Sequence, residues 1–413
     1  MIKKEQYGAA VKIAVALIIC VQYTVTITTP ILGTISSAYP QYLSYVKQLE
    51  TMPTMAAVII SLLIGPLTRH FRKKQLLLVG IVLASAQFLP AVIANFWVLY
   101  FARLCAGFGL GFMFSFAASF PVDMFSEEDA AKMLGFRSFL GAIAGIVYQQ
   151  CSARIATATG NYQTSFFLVL VLVPIFIYES VIMPKTCPVE EYNREMVQKP
   201  KESQPKEKRM MPLTWALLIT MFVILLCSYT FMTNCAIVVS GARAQGGMGL
   251  NAAAAANILS VFTIAIALSG LLYPRLWLKL FKDYTTAVGV IFMTAGLLGI
   301  YTATGMGSMA LVYGSTLIFG FGFEMNNSHL CQLLPRTSIA SAATFLLAMM
   351  YAFINLGSWL AAYIVPAIAN VFFPDALKGD WRIAIVGLAL CAIVDLILCS
   401  AVKKNSNAQA AAK

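Results

Sequence analysis

The residue whose chemistry most needs explaining in this chain is Glu324, a carboxylate inside the long apolar run 309–332. An ionisable side chain buried at such depth is costly unless it is paired or hydrated, which makes it a functional candidate by default. On a helix, Gly320, Asn327 and Ser328 share its face at i−4, i+3 and i+4. Glu324 stands about 15 residues into the run, near its middle at ~1.5 Å per residue. A partly desolvated carboxyl there can load and release a proton near neutral pH. The competing reading is a structural hydrogen bond to a neighbouring helix. His329 lies ~140° around the same helix and reads as a packed or interfacial residue.

Arg103 is the second such group, ~10 Å into the run 96–121. Facing a cavity, its planar fork would hold a carboxylate or phosphate. Otherwise it snorkels to the nearer surface as an anchor. Polar stripes accompany these two charges. Gln22, Thr26 and Thr29 share a face in 11–37, and 212–240 offers Tyr229 with Thr233 and Thr230 with Asn234. Asn355 stands beside Tyr351 in 339–369. Candidate solute ligands are therefore Gln22, Thr26, Arg103, Tyr229, Asn234, Glu324, Asn327 and Asn355. Any single threonine is weak evidence, because such hydroxyls often bond back to their own helix.

The elements that must carry these groups are twelve apolar segments, each long enough to cross a bilayer as a helix. They lie at 11–37, 47–68, 76–94, 96–121, 131–156, 165–183, 212–240, 252–274, 285–304, 309–332, 339–369 and 381–402, numbered here spans 1 to 12. Basic residues gather on alternate connections: Lys3 and Lys4, Arg69 to Lys74, seven between 185 and 209, Arg275, Lys279, Lys282, Arg336, Lys403 and Lys404. The other connections hold little beyond Lys47, Arg243 and Lys378. The positive-inside rule then places both termini in the cytoplasm, in a multi-pass inner or plasma membrane protein. The first span continues to about Thr29 without a small-residue cleavage site, so it reads as retained and not as a signal peptide.

Composition agrees. Hydrophobic residues make up 60% of the 413 and charged residues only 11%, which excludes a soluble domain. The net charge of +12 lies beside the spans, where anionic lipid attracts it, so a nucleic-acid partner is not implied. Eight of the nine cysteines fall in spans and none pairs plausibly across an outer connection. Two distant histidines and scattered acids build no catalytic or metal constellation, so neither an enzyme nor a cofactor is expected. No Gly-x4-Gly-Lys-Ser/Thr loop is present, so ATP is not expected to drive the protein.

Between Pro184 and Pro212 the chain turns to Lys, Glu, Pro and Gln, the composition of a flexible linker. This predicts a six-helix bundle over 1–184, a linker over 185–211, a second bundle over 212–404 and a disordered tail over 405–413. The halves echo each other. Gly107-Phe108-Gly109 in span 4 recurs as Gly320-Phe321-Gly322 in span 10, with Ser115 and Ser328 equally far downstream. That alignment sets Gly111 at the position of Glu324. Parallel six-span repeats are a transporter architecture with the solute site between the halves.

On these residues the whole chain resembles the major facilitator superfamily. Gly65, Leu67, Lys73 and Lys74 fit its Gly-x-Leu-x-Asp-Arg-x-Gly-Arg-Lys loop after span 2, although Arg69 and Arg72 replace its acid and second glycine. Leu99, Arg103, Gly107 and Gly109 fit its Leu-x3-Arg-x3-Gly-x-Gly pattern in span 4. The resemblance implies an all-α fold of two six-helix bundles related by a pseudo-two-fold axis, with spans 1, 4, 7 and 10 lining the cavity. It also implies a cytoplasmic gate, here Gly65, Arg72, Lys73, Asp123 and Arg137, the last facing Glu127, Glu128 or Asp129. Gly141 and Gly145 lack the glycine-proline pattern of the drug antiporters in span 5. Glu179 and Asp395, on peripheral spans, read as structural.

The expected function is secondary transport of a small organic solute, an organic anion or polar metabolite, by alternating access. Protons are the candidate coupling ion, the bilayer the only other partner, and the chain acts as a monomer. Multidrug efflux by proton antiport, or a sensor on a transporter scaffold, are the alternatives.

Overall fold

The computed structural model describes residues 7–125, 127–187, 212–334, 343–374 and 377–411. Side chains at 61–62, 65–66, 69, 118, 122, 127–128, 130–132, 134–138, 343–348, 351 and 405–411 lie outside that description, so nothing follows for Gly65 or Arg137 of the expected gate. The described chain is helical, with no strand. In a bilayer this follows from the backbone, whose polar groups can be satisfied within each helix where no water reaches.

Eight runs among the described residues are long and apolar enough to cross a membrane, and one of them, Ala252–Met306, covers both span 8 and span 9. Spans 2, 5 and 10 form the long helices Leu43–His70, Glu127–Thr159 and Met309–Leu333, which carry more polar residues. Asparagines start several helices. The side chains of Asn95, Asn161 and Asn251 accept from the backbone N–H of Trp97, Gln163 and Ala254 at 2.8, 2.9 and 3.1 Å, satisfying donors that a helix start leaves open. The last helix, Gly379–Ala411, runs through most of the expected tail, where alanines favour continuation.

The chain forms two compact units, Met1–Ile31 with Met52–Lys206, and Leu32–Thr51 with Glu207–Lys413. Leu32–Thr51 precedes the linker in sequence yet packs within the second unit.

In the first unit the glycine pair of span 4 sets two helix contacts. A methyl built on Gly107 would meet the Pro53 carbonyl of span 2 at 2.6 Å, and one on Gly109 the Gly80 carbonyl of span 3 at 2.5 Å. The second unit repeats the device. A methyl built on Gly320 would meet Ala265 of span 8 at 2.6 Å, and one on Gly322 would collide with the Gly289 carbonyl of span 9. The recurring Gly-Phe-Gly is thus a packing motif, letting backbones approach where a side chain would not fit.

Span 1 is interrupted and span 7 is not. Span 1 runs as a helix over Ala9–Tyr23, tightens to 3-10 turns at Thr24–Ile27 and Thr29–Ile31, and resumes at Leu32–Ala38. Its sequence explains the break. Pro30 supplies no N–H, and Thr24 and Thr26 donate back to the carbonyls of Val21 and Tyr23, both at 2.8 Å. Span 7 continues through Tyr229 over Pro212–Ser240: Tyr229 keeps helical dihedrals, its N–H donates to the Leu225 carbonyl at 3.0 Å and its carbonyl accepts from the Thr233 N–H at 3.1 Å.

Candidate functional site

In the first unit, Lys73 opens span 3 and its ammonium pairs with the Asp123 carboxylate at the end of span 4, with Ser119 Oγ 3.5 Å away. Arg72 is exposed and its backbone N–H donates to Gln75 Oε1 at 3.0 Å, so of the two cations expected near Asp123 it is Lys73 that reaches it. Lys74 donates to the Met183 carbonyl at 2.5 Å. Nearby, Glu179 is wholly buried, with no hydrogen-bond donor to either carboxyl oxygen among the described residues.

Arg103 is wholly buried. Its Nη1 donates to the Val25 carbonyl and to Gln87 Oε1, each at 2.9 Å, while Gln87 Nε2 reaches Thr24 Oγ1 at 3.4 Å. The guanidinium therefore ties the 3-10 turn of span 1 to the 3-10 turn Ala86–Phe88 of span 3. Carbonyls freed by a helix break need such donors. Thr26 uses its hydroxyl on its own turn. Gln22 is buried just before the break, and its Oε1 has no donor among the described residues.

The first unit also holds a cavity of about 490 Å³ walled by spans 1, 4 and 5. Ile13, Ala16, Ile19, Ala117 and Met133 make it apolar, and the Lys12–Asp129 ion pair, at 2.8 Å, supplies its charge. None of the expected solute ligands lines it. The sequence did carry a signal for this pair, since Lys12 interrupts the first apolar run close to its start.

In the second unit, Glu324 lies mid-way along Met309–Leu333. Ser328 Oγ donates to its Oε1 at 2.6 Å, and its side chain rests against Gly270 of span 8, where a built methyl would stand 3.6 Å from Oε1. No cation pairs with it among the described residues. At the matching place in span 4, Gly111 offers no carboxylate and Ser115 donates to the Gly111 carbonyl at 3.1 Å. Asn327 and Asn355 are half-buried, as is Tyr229 of span 7. Asn234 is buried. Its Nδ2 donates to the Thr230 carbonyl and to Thr233 Oγ1, both at 3.1 Å, and its Oδ1 has no donor among the described residues. His329 is wholly buried and bonds Tyr273 OH at 2.9 Å, a packed residue as its helical position implied.

Buried amide oxygens that no described group satisfies stand on Gln22 of span 1, Gln149 of span 5 and Asn234 of span 7. Native interiors seldom leave such acceptors open. The chain belongs to the Major Facilitator Superfamily, whose family description matches residues 14–362.

Solved structures agree in fold. The POT family transporter PepTSo is similar with a TM-score of 0.71 at 10% identity, covering 97% of this chain and 99% of that one. The nucleoside transporter NupG gives 0.69 at 11%, covering 95% and 99%. A D-xylose-proton symporter gives 0.68 at 14%, covering 94% and 97%. At these identities the likeness is one of fold. No curated protein matches the sequence.

Proposed function

We propose that this chain is a proton-coupled carrier of a small polar metabolite in the inner or plasma membrane. It works as a monomer with both termini in the cytoplasm, alternating access between a bundle before the linker 185–211 and one after it. The observation that carries the reading is Glu324, a mid-span carboxylate held by one serine and by no cation among the described residues. Such a group can exchange a proton as its surroundings change between states of the cycle.

Within the second unit, the open amide oxygen of Asn234 supports a solute bearing N–H or O–H donors; Gln22 is a candidate in the first unit. Tyr229, Asn327 and Asn355 are half-buried and stand as further candidate ligands. The solute is an organic anion or a polar metabolite, and the Nη1 of Arg103 is engaged by Val25 and Gln87. The Lys73–Asp123 pair is assigned to the cytoplasmic gate.

The test is uptake of sugars, nucleosides and organic acids into proteoliposomes, with and without a pH gradient, by the wild type and Glu324→Gln. The variant keeps shape and most hydrogen bonding but cannot titrate. It should retain counterflow of the transported solute and lose accumulation driven by the gradient. Wild-type accumulation in that variant would leave Glu324 a structural bond.

A further inference from the structure

At the ends of the spans opposite the basic connections, the second unit gathers two cations that are in no ion pair among the described residues. Arg382, in the first turn of the last helix, donates from Nε to Tyr301 OH at 2.8 Å and stacks on Phe373 at 4.8 Å from the ring centre. Lys378 Nζ lies over the Tyr301 ring, 4.9 Å from its centre. Asp380, two residues from each in sequence, pairs with Lys47 at 2.5 Å, and Asp375 lies outside the described residues. Neither Lys378 nor Arg382 is in an ion pair among the described residues. Burial, and then the neighbouring Arg382, hold the Lys378 ammonium below the ordinary lysine range, as expected of two like charges left close together.

Below Arg382 the same helical face continues as Val386, Leu390, Ile393 and Ile397, which are 59%, 60%, 58% and 64% exposed. Residues at these spacings form one stripe. Two cations on an aromatic ring at a membrane-interface position, heading an open apolar stripe, match an anionic headgroup joined to an acyl chain.

We propose that Lys378 and Arg382 hold the phosphate of an anionic phospholipid, whose acyl chain lies along Val386, Leu390, Ile393 and Ile397. This is the leaflet that faces outward if the basic connections face the cytoplasm. The bland alternative is that Lys378 merely caps the end of span 9, where its Nζ stands 3.5 Å from the Tyr301 carbonyl, and that Arg382 merely stacks.

Native mass spectrometry of the detergent-purified full chain, titrated with phosphatidylglycerol or with phosphatidylcholine, separates the two. The wild type should bind the first lipid more tightly. The double variant Lys378→Gln/Arg382→Gln should weaken phosphatidylglycerol roughly tenfold or more and leave phosphatidylcholine unchanged. Arg382→Lys, which keeps the charge and serves if the double variant folds poorly, should retain the preference, while Arg382→Gln alone should reduce it. Inorganic phosphate at millimolar concentration should not displace the lipid. Displacement by phosphate would make this a soluble-anion site and overturn the lipid assignment. An unchanged lipid preference in the glutamine variants would overturn it as well.

Discussion

Lys73 at the start of span 3 and Asp123 at the end of span 4 form an ion pair whose side chains are only 15% and 12% exposed. The superfamily's loop pattern has an acid where this chain has Arg69, so the pair holds these two helix ends by a different residue combination. Asp123→Asn would leave the Lys73 ammonium half-buried without its counter-charge. Breaking such a pair costs on the order of 3 kcal/mol. We expect a lower melting temperature and slower transport, with both partly restored by exchanging the charges in Lys73→Asp/Asp123→Lys. A wild-type melting temperature and rate in Asp123→Asn would make the pair incidental.

Arg103 separates two roles by what it disturbs. As a tie between the breaks of spans 1 and 3, its loss strands the Val25 carbonyl and Gln87, at about 3 kcal/mol for a charged donor. Arg103→Ala should therefore depress thermal stability, and Arg103→Lys, with one compact donor in place of a fork, should recover part of it. A rise in KM with unchanged melting would instead identify the guanidinium as a solute ligand.

Gly322 tests the packing motif. An alanine methyl would collide with the Gly289 carbonyl, so one backbone must move. Overpacking of this kind costs about 2 kcal/mol. Gly314, on the same helix, has nothing within 4 Å of a built methyl, and Gly314→Ala should be neutral or slightly stabilising. Equal melting of the two variants would show that the spans 9 and 10 contact is loose.

Lys378 predicts a pH dependence of stability. Its folded-state value is lowered from the ordinary 10.5, first by burial and then by Arg382. Between the lowered value and 10.5 the unfolded chain binds more protons than the folded one, so stability rises with pH across that window. Below it the lysine is charged in both states and its full penalty applies. Melting curves taken from neutral pH up to 10.5 should show this rise in lipid-free protein, and Lys378→Gln should flatten it. An unaltered slope in the variant would assign the rise to other groups.

Orientation is open to single-cysteine labelling. If the basic connections face the cytoplasm, an impermeant thiol reagent added outside should modify Gln245→Cys and miss Ser203→Cys. The opposite pattern would invert the proposed topology.

The sequence by itself determined the fold class, the boundaries of the apolar segments and the internal repeat. Apolar length and backbone satisfaction leave a membrane-spanning chain few options, and Gly-Phe-Gly recurs because the same close approach is needed twice. It also exposed Glu324, since a carboxylate within 309–332 has no local reason to be there. Only the tertiary structure decided what the polar groups touch. The direction of Arg103 depended on a break in span 1, and a periodic reading treats that span as one continuous helix. Pro30 and the threonines of 24–29 hinted at the break, but which donor would satisfy its carbonyls is a matter of spans 3 and 4 meeting span 1. The partner of Asp123 among several neighbouring cations, and the convergence of Lys378 and Arg382 on Tyr301, likewise join residues far apart in sequence. Periodicity sets the face on which a residue lies, whereas packing sets its neighbour.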